Sequence, residues 1–141
     1  MRLKSISLLL FSCVVITNWS CSSKAIEQKK EDLLVTLITA NIWIMESFSE
    51  GSTNLTADFS GYEFKFYTDL TVQGIRTGFP TATGTWAGNA SDMTVQANFP
   101  TETGVLKKLN GTFTVTSSTL SDVNAHRFEG AVELKLHLVK K

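Results

Sequence analysis

Few side chains in this 141-residue sequence have the chemistry for covalent or acid–base work, and the two cysteines, Cys13 and Cys21, come first. A thiol can be acylated, oxidised or used as a metal ligand, and its surroundings decide which. The two histidines, His126 and His137, stand in no nucleophile or metal-ligand motif. Neither Gly-x-Ser-x-Gly nor His-Glu-x-x-His occurs, so both histidines read as surface residues. Glu63 and Lys65 share one face of a strand, where an exposed ion pair contributes little. Glycoside chemistry would need two facing carboxylates, and the pattern points no such pair inward. The expectation is a protein that is not an enzyme, with no metal and no cofactor.

Cys21 closes a segment with its own logic. Arg2 and Lys4 precede the apolar run Ile6–Ile16, which is too short for a membrane span of about 20 residues but suits a secretory signal. Directly after it stands Asn18-Trp19-Ser20-Cys21-Ser22-Ser23-Lys24. A small residue before a cysteine at this place resembles the lipobox of bacterial lipoproteins, whose thiol is alkylated with diacylglycerol. Asn18 and Trp19 depart from the usual aliphatic and small residues, as in the looser boxes of the Bacteroidota. Cys13 is the poorer candidate because Val14-Val15-Ile16 still follow it. The alternative is ordinary cleavage near Ser20, leaving a free thiol. With Cys21 acylated and Cys13 removed, no thiol remains for a disulfide, a metal or redox chemistry. Residues 1–20 are therefore read as a lipoprotein signal peptide and residues 21–25 as the anchor cysteine and its tether.

Thirteen basic residues balance thirteen acidic ones, and two of the cations, Arg2 and Lys4, fall in the leader. The remainder is slightly acidic and carries no basic stripe, which argues against nucleic acid as a partner. Sequons at Asn18, Asn54, Asn89 and Asn110 become turn residues on the bacterial reading.

The elements that would position any site follow from periodicity. Ile26, Lys30, Leu33, Leu34, Leu37 and Ile38 share one face at helical spacing, predicting a single helix over 26–39. The period then drops to two. Strands are expected at 42–48, 61–67, 70–77, 83–87, 93–98, 112–116, 119–123 and 130–139, with one helical turn at 106–109. Tyr62, Phe64 and Phe66 alternate with Glu63 and Lys65, as in a sheet wet on one face. Pro100 ends its strand because it has no N–H to give a ladder. Eight strands joined by turns predict an all-β, eight-stranded antiparallel up-and-down barrel preceded by one short N-terminal helix, covering residues 26–141. An open sandwich is the structural alternative.

The order Leu34…Leu37-Ile38-Thr39-Ala40-Asn41-Ile42-Trp43, then Phe59-Ser60-Gly61-Tyr62-Glu63-Phe64-Lys65-Phe66, then Gly84-Thr85-Trp86 resembles small lipocalin-like lipoproteins of the Bacteroidota. Leu106–Phe113 continues the likeness, which spans most of residues 33–138. Lipocalins mark their first strand with Gly-x-Trp; Trp43 matches, while Asn41 replaces the glycine and Phe113 stands where another Trp is common. The resemblance implies a lipocalin-like barrel, anchored through lipid on Cys21 in the cell envelope, at the outer membrane of a Gram-negative bacterium.

Trp43, Met45, Tyr62, Phe64, Phe66 and Phe113 are the candidates for the barrel interior, either as plain core or as the wall of a ligand pocket. Arg76 shares strand parity with Leu70, Val72 and Gly74, so an inward guanidinium near a rim could hold a carboxylate or phosphate. The expected function is an anchored binding module for a small apolar or amphipathic ligand, with a monomer expected. The alternative is a non-enzymatic interaction or accessory protein at the envelope.

Overall fold

The structure, a computed structural model, describes residues 21–141; the expected leader, with Cys13, lies outside them. The chain runs α1 (Cys21–Ala40), β1 (Ile42–Glu50), β2 (Thr53–Asn54), β3 (Tyr62–Phe66), β4 (Thr71–Arg76), β5 (Ala82–Asn89), β6 (Thr94–Asn98), β7 (Gly111–Ser118), β8 (Asp122–Glu129) and β9 (Val132–Lys140). Every strand pairs antiparallel with its neighbour, and β1 also pairs with β9. That last ladder closes β1 and β3–β9 into an eight-stranded up-and-down barrel, while β2 only extends a hairpin from the end of β1. Among the described residues, closure leaves only the two-residue β2 with an unpaired edge. The barrel and, among the described residues, one N-terminal helix are as the periodicity predicts, and the open sandwich is excluded.

Several boundaries differ from expectation, each for a local reason. Among the described residues the chain is helical from Cys21 onward, so the residues read as a polar tether, 21–25, are part of α1. The strand expected at 119–123 is instead a turn followed by β8 at Asp122–Glu129. Thr119 N–H donates to the Asp122 carbonyl and Ser121 N–H to Thr119 Oγ1, which settles the turn. In β8 the inward positions are Val123, Ala125 and Arg127, while Phe128 faces out, so hydrophobic alternation is nearly silent there. In β1 a bulge between Met45 and Ser47 shifts the register. It brings Phe48 inward with Trp43 and Met45, where strict alternation would have placed Ser47.

One end of the barrel is filled. A 3₁₀ turn at Thr56–Phe59 carries Phe59 beneath β1, its ring 4.9 Å from Phe48 and 6.4 Å from Phe64. A second at Val105–Leu109 drives Leu106 and Leu109 inward. Leu106 uses the room left by Gly74, where an added Cβ would lie 3.3 Å from its Cδ1. Phe99 is pinned by Asn110, whose Oδ1 accepts from its backbone N–H at 2.7 Å. Phe48, Phe59, Phe99, Leu106 and Leu134 are almost fully buried and make this end solid.

Candidate functional site

The opposite end holds open space. A cavity of about 290 Å³ lies inside the barrel under α1. Trp43, Met45, Phe64, Phe66, Val72, Phe113 and Leu136 form part of its wall, with Val95, Ala97, Val115 and Leu138 along the far strands. Its floor is Phe99 and Leu109, and its roof is Leu33, Leu34, Leu37 and Ile38 of the helix. Polar side chains occur near its mouth: Lys30 on α1, Asn89 and Thr94 at one hairpin, and Ser118 at another.

The helix is fastened at its C-terminal end. Trp43 Nε1–H donates to the Ile38 carbonyl at 3.0 Å, and Lys65 Nζ donates to the Thr39 carbonyl at 2.7 Å. The lysine meets carbonyls that a helix end leaves without partners, and its charge suits the negative end of the dipole. Asn41 Nδ2 donates to the Leu37 carbonyl at 2.9 Å. Further along, Leu34 rests on Gly88, where an added Cβ would sit 3.0 Å from Leu34 Cδ2. The roof is thus a helix tied firmly at residues 37–41 and held by apolar contact before them.

Five of the interior candidates, Trp43, Met45, Phe64, Phe66 and Phe113, are brought together on this wall. Tyr62 and Arg76 are not. They pair across β3 and β4 at the filled end, where the Arg76 guanidinium lies 5.4 Å from the Tyr62 ring and 4.7 Å from the Phe79 ring. Arg76 has inward parity as expected, but at the wrong end of the barrel to meet a ligand. The inward cation missed by sequence is Arg127, whose guanidinium lies 5.3 Å from the Phe113 ring and donates to the Lys108 carbonyl at 3.2 Å. It supports the cavity wall from behind. The cation at the mouth is Lys30, which already shares the apolar face of the helix in the sequence pattern.

The histidines lie on the outer faces of β8 and β9. His126 Nδ1 is 2.7 Å from Glu133 Oε1, and His137 Nε2 is 2.5 Å from Asp122 Oδ2. His126 lies within β8. The hydrogen bond from His126, and then that from Lys135, hold the Glu133 carboxyl below its usual range. Each histidine is engaged by a carboxylate across one strand pair on a convex surface, away from the cavity. Among the described residues, no group of three or more His, Cys, Asp or Glu is placed to hold a metal ion.

No family model matches the chain, and no curated protein does. Among solved structures it is similar to the crystal structure of a DUF4847 family protein from Bacteroides vulgatus, with a TM-score of 0.55 and 15% identity. The likeness covers 75% of this chain and 96% of that one, and at such identity it concerns the fold.

Proposed function

We propose that this protein is a lipid-anchored envelope protein whose lipocalin-like barrel binds a small, mainly apolar ligand. The observation that carries the reading is the apolar cavity of about 290 Å³ beneath α1. Its volume lies at the lower edge of the usual range for ligand sites, roughly 300–1,000 Å³, so a short acyl chain or a single ring system is the fitting size. Left empty, a void of that volume would forgo about 7 kcal/mol on the scale of about 24 cal/mol per Å³, an upper figure because the mouth is open. That is comparable with the whole stability of a domain, about 5–15 kcal/mol. Ordered water is a poor filling, since each molecule needs two to four polar partners and the inner wall is aliphatic and aromatic. An apolar guest offsets the void better than either.

Lys30 is the cation that an anionic head on such a guest would meet. The lipid anchor at Cys21 rests on the sequence reading of the leader. Among the described residues no helix is long and apolar enough to cross a membrane. Native mass spectrometry of the mature protein, released in mild detergent, tests the binding reading. A co-purifying adduct that disappears in Ala97→Phe, which fills the cavity, is expected. An adduct-free protein whose wild-type and Ala97→Phe forms both fail to take up added fatty acid would refute it.

A further inference from the structure

We infer that the open end of the barrel faces and touches the lipid bilayer, with the tips of three hairpins entering its surface. This rests on the reading of Cys21 as the anchor. The antiparallel register places the β3–β4, β5–β6 and β7–β8 turns at the same end as the start of β1. Each tip presents a large apolar side chain to solvent: Leu70 is 49% exposed, Leu120 70%, and Met93, which also lines the cavity mouth, 46%. On the helix that roofs this end, Leu33 is 60% exposed and Ile26 55%. Scattered exposed apolar residues are ordinary, but three hairpin tips at one end of the barrel, with Leu33 on the helix above it, each expose a large apolar side chain, and that repetition calls for a partner.

Two of the three tips adopt a backbone that works against their side chains. Leu70 has φ 66° and Met93 φ 52°, the left-handed region in which a hairpin turn normally takes Gly, Asn or Asp. Glycine would suit the turn and remove the exposed surface, and it does take such positions elsewhere in this chain, as at Gly51 and Gly130.

The occupant follows from where the apolar leader ends. The run Ile6–Ile16 leads within five residues to Cys21, and the chain from Cys21 to Ala40 is helical. Lys30 is the first helix residue on the cavity wall, so the anchor stands only nine residues before the mouth, about 14 Å of helix. A diacylglycerol on Cys21 therefore holds this end against its own bilayer. There the exposed aliphatics leave water, and an apolar guest passes between lipid and cavity without crossing it. The filled end also exposes Phe79 and Phe128, but Arg76 stacks on the first ring and His126 packs edge-on against the second.

The test uses the full chain expressed with its leader, carrying Leu120→Cys, Met93→Cys or, at the filled end, Phe128→Cys. With Cys21 acylated and Cys13 removed, each new cysteine is the sole free thiol for a polarity-sensitive dye. The labelled protein is placed in phosphatidylethanolamine/phosphatidylglycerol vesicles containing nitroxide-labelled lipid. Blue-shifted emission and quenching at positions 120 and 93, with neither at 128, are expected. Equal solvent exposure at all three sites on vesicle-bound protein overturns the inference and leaves the anchor intact. Shielding of position 120 without vesicles, accompanied by a dimer in sedimentation, overturns it in favour of a second copy. Protein that stays soluble, with wild type and Cys21→Ser fractionating alike, overturns the anchor itself and the inference with it.

Discussion

The indole N–H of Trp43 donates to the carbonyl oxygen of Ile38 at 3.0 Å, joining the first barrel strand to the last turns of the helix that roofs the cavity. The same ring forms part of the cavity wall, so one side chain both shapes the site and fastens its cover. Trp43→Phe keeps an aromatic wall and removes this bond. A loss of about 1 kcal/mol in urea denaturation is expected, the usual net worth of one hydrogen bond, with faster amide exchange in residues 34–40 than in the strands. Unchanged exchange in the helix would show that the bond does not fasten it.

Gly84 faces inward in β5 where the β6 backbone passes close. An added Cβ would lie 2.3 Å from the Asn98 carbonyl oxygen, a contact that only movement of the strand can relieve. Gly84→Ala is expected to destabilise the barrel by about 1–3 kcal/mol, the range for forced overpacking. A melting temperature equal to wild type would contradict this.

Acid should loosen the β8–β9 face. The Glu133 carboxyl is held below its usual value of 4.5, first by the hydrogen bond from His126 and then by Lys135. A depressed carboxylate stabilises the fold above its unfolded value, and that contribution disappears as pH falls through the lower folded value. Hydrogen bonds from Thr71 lower Asp69 in the same sense. Denaturation midpoints measured from about pH 6 down to pH 3 should fall less steeply in Glu133→Gln than in wild type, and less again with Asp69→Asn added. Identical slopes would remove both groups from the acid response.

Much of this architecture is legible in the sequence because one face of most strands is apolar and the other is not. Tyr62-Glu63-Phe64-Lys65-Phe66 declares both its strand and its buried face, and Ile26 to Ile38 declares the roof. What alternation cannot convey is which end of a strand lies at the mouth. Arg76 and Phe66 share a strand-parity class, yet one lies at the filled base and the other on the cavity wall. Nor does alternation survive where polarity is inverted. β8 turns Arg127 inward, half-buried over an aromatic ring, and exposes Phe128, and the bulge after Met45 exchanges Ser47 for Phe48. The fill of the filled end comes from 3₁₀ turns, whose four or five residues are too few to show a period.

Lys30 should favour an anionic head. In Lys30→Met, the affinity for decanoate is expected to fall by about two- to fivefold, the scale of an exposed ion pair, and the affinity for decanol to stay the same. An equal change for both compounds would assign the effect to packing of the helix.

The most direct measurement is an equilibrium titration of the mature protein with decanoate, followed by tryptophan fluorescence. Trp43 is part of the cavity wall and Trp86 is not, so a bound guest reports through Trp43. Saturable binding with one site and a Kd on the order of micromolar is expected for a guest of this size, and Ala97→Phe should abolish it while remaining folded. No saturable change in wild type, or undiminished binding in Ala97→Phe, would contradict a ligand site inside the barrel.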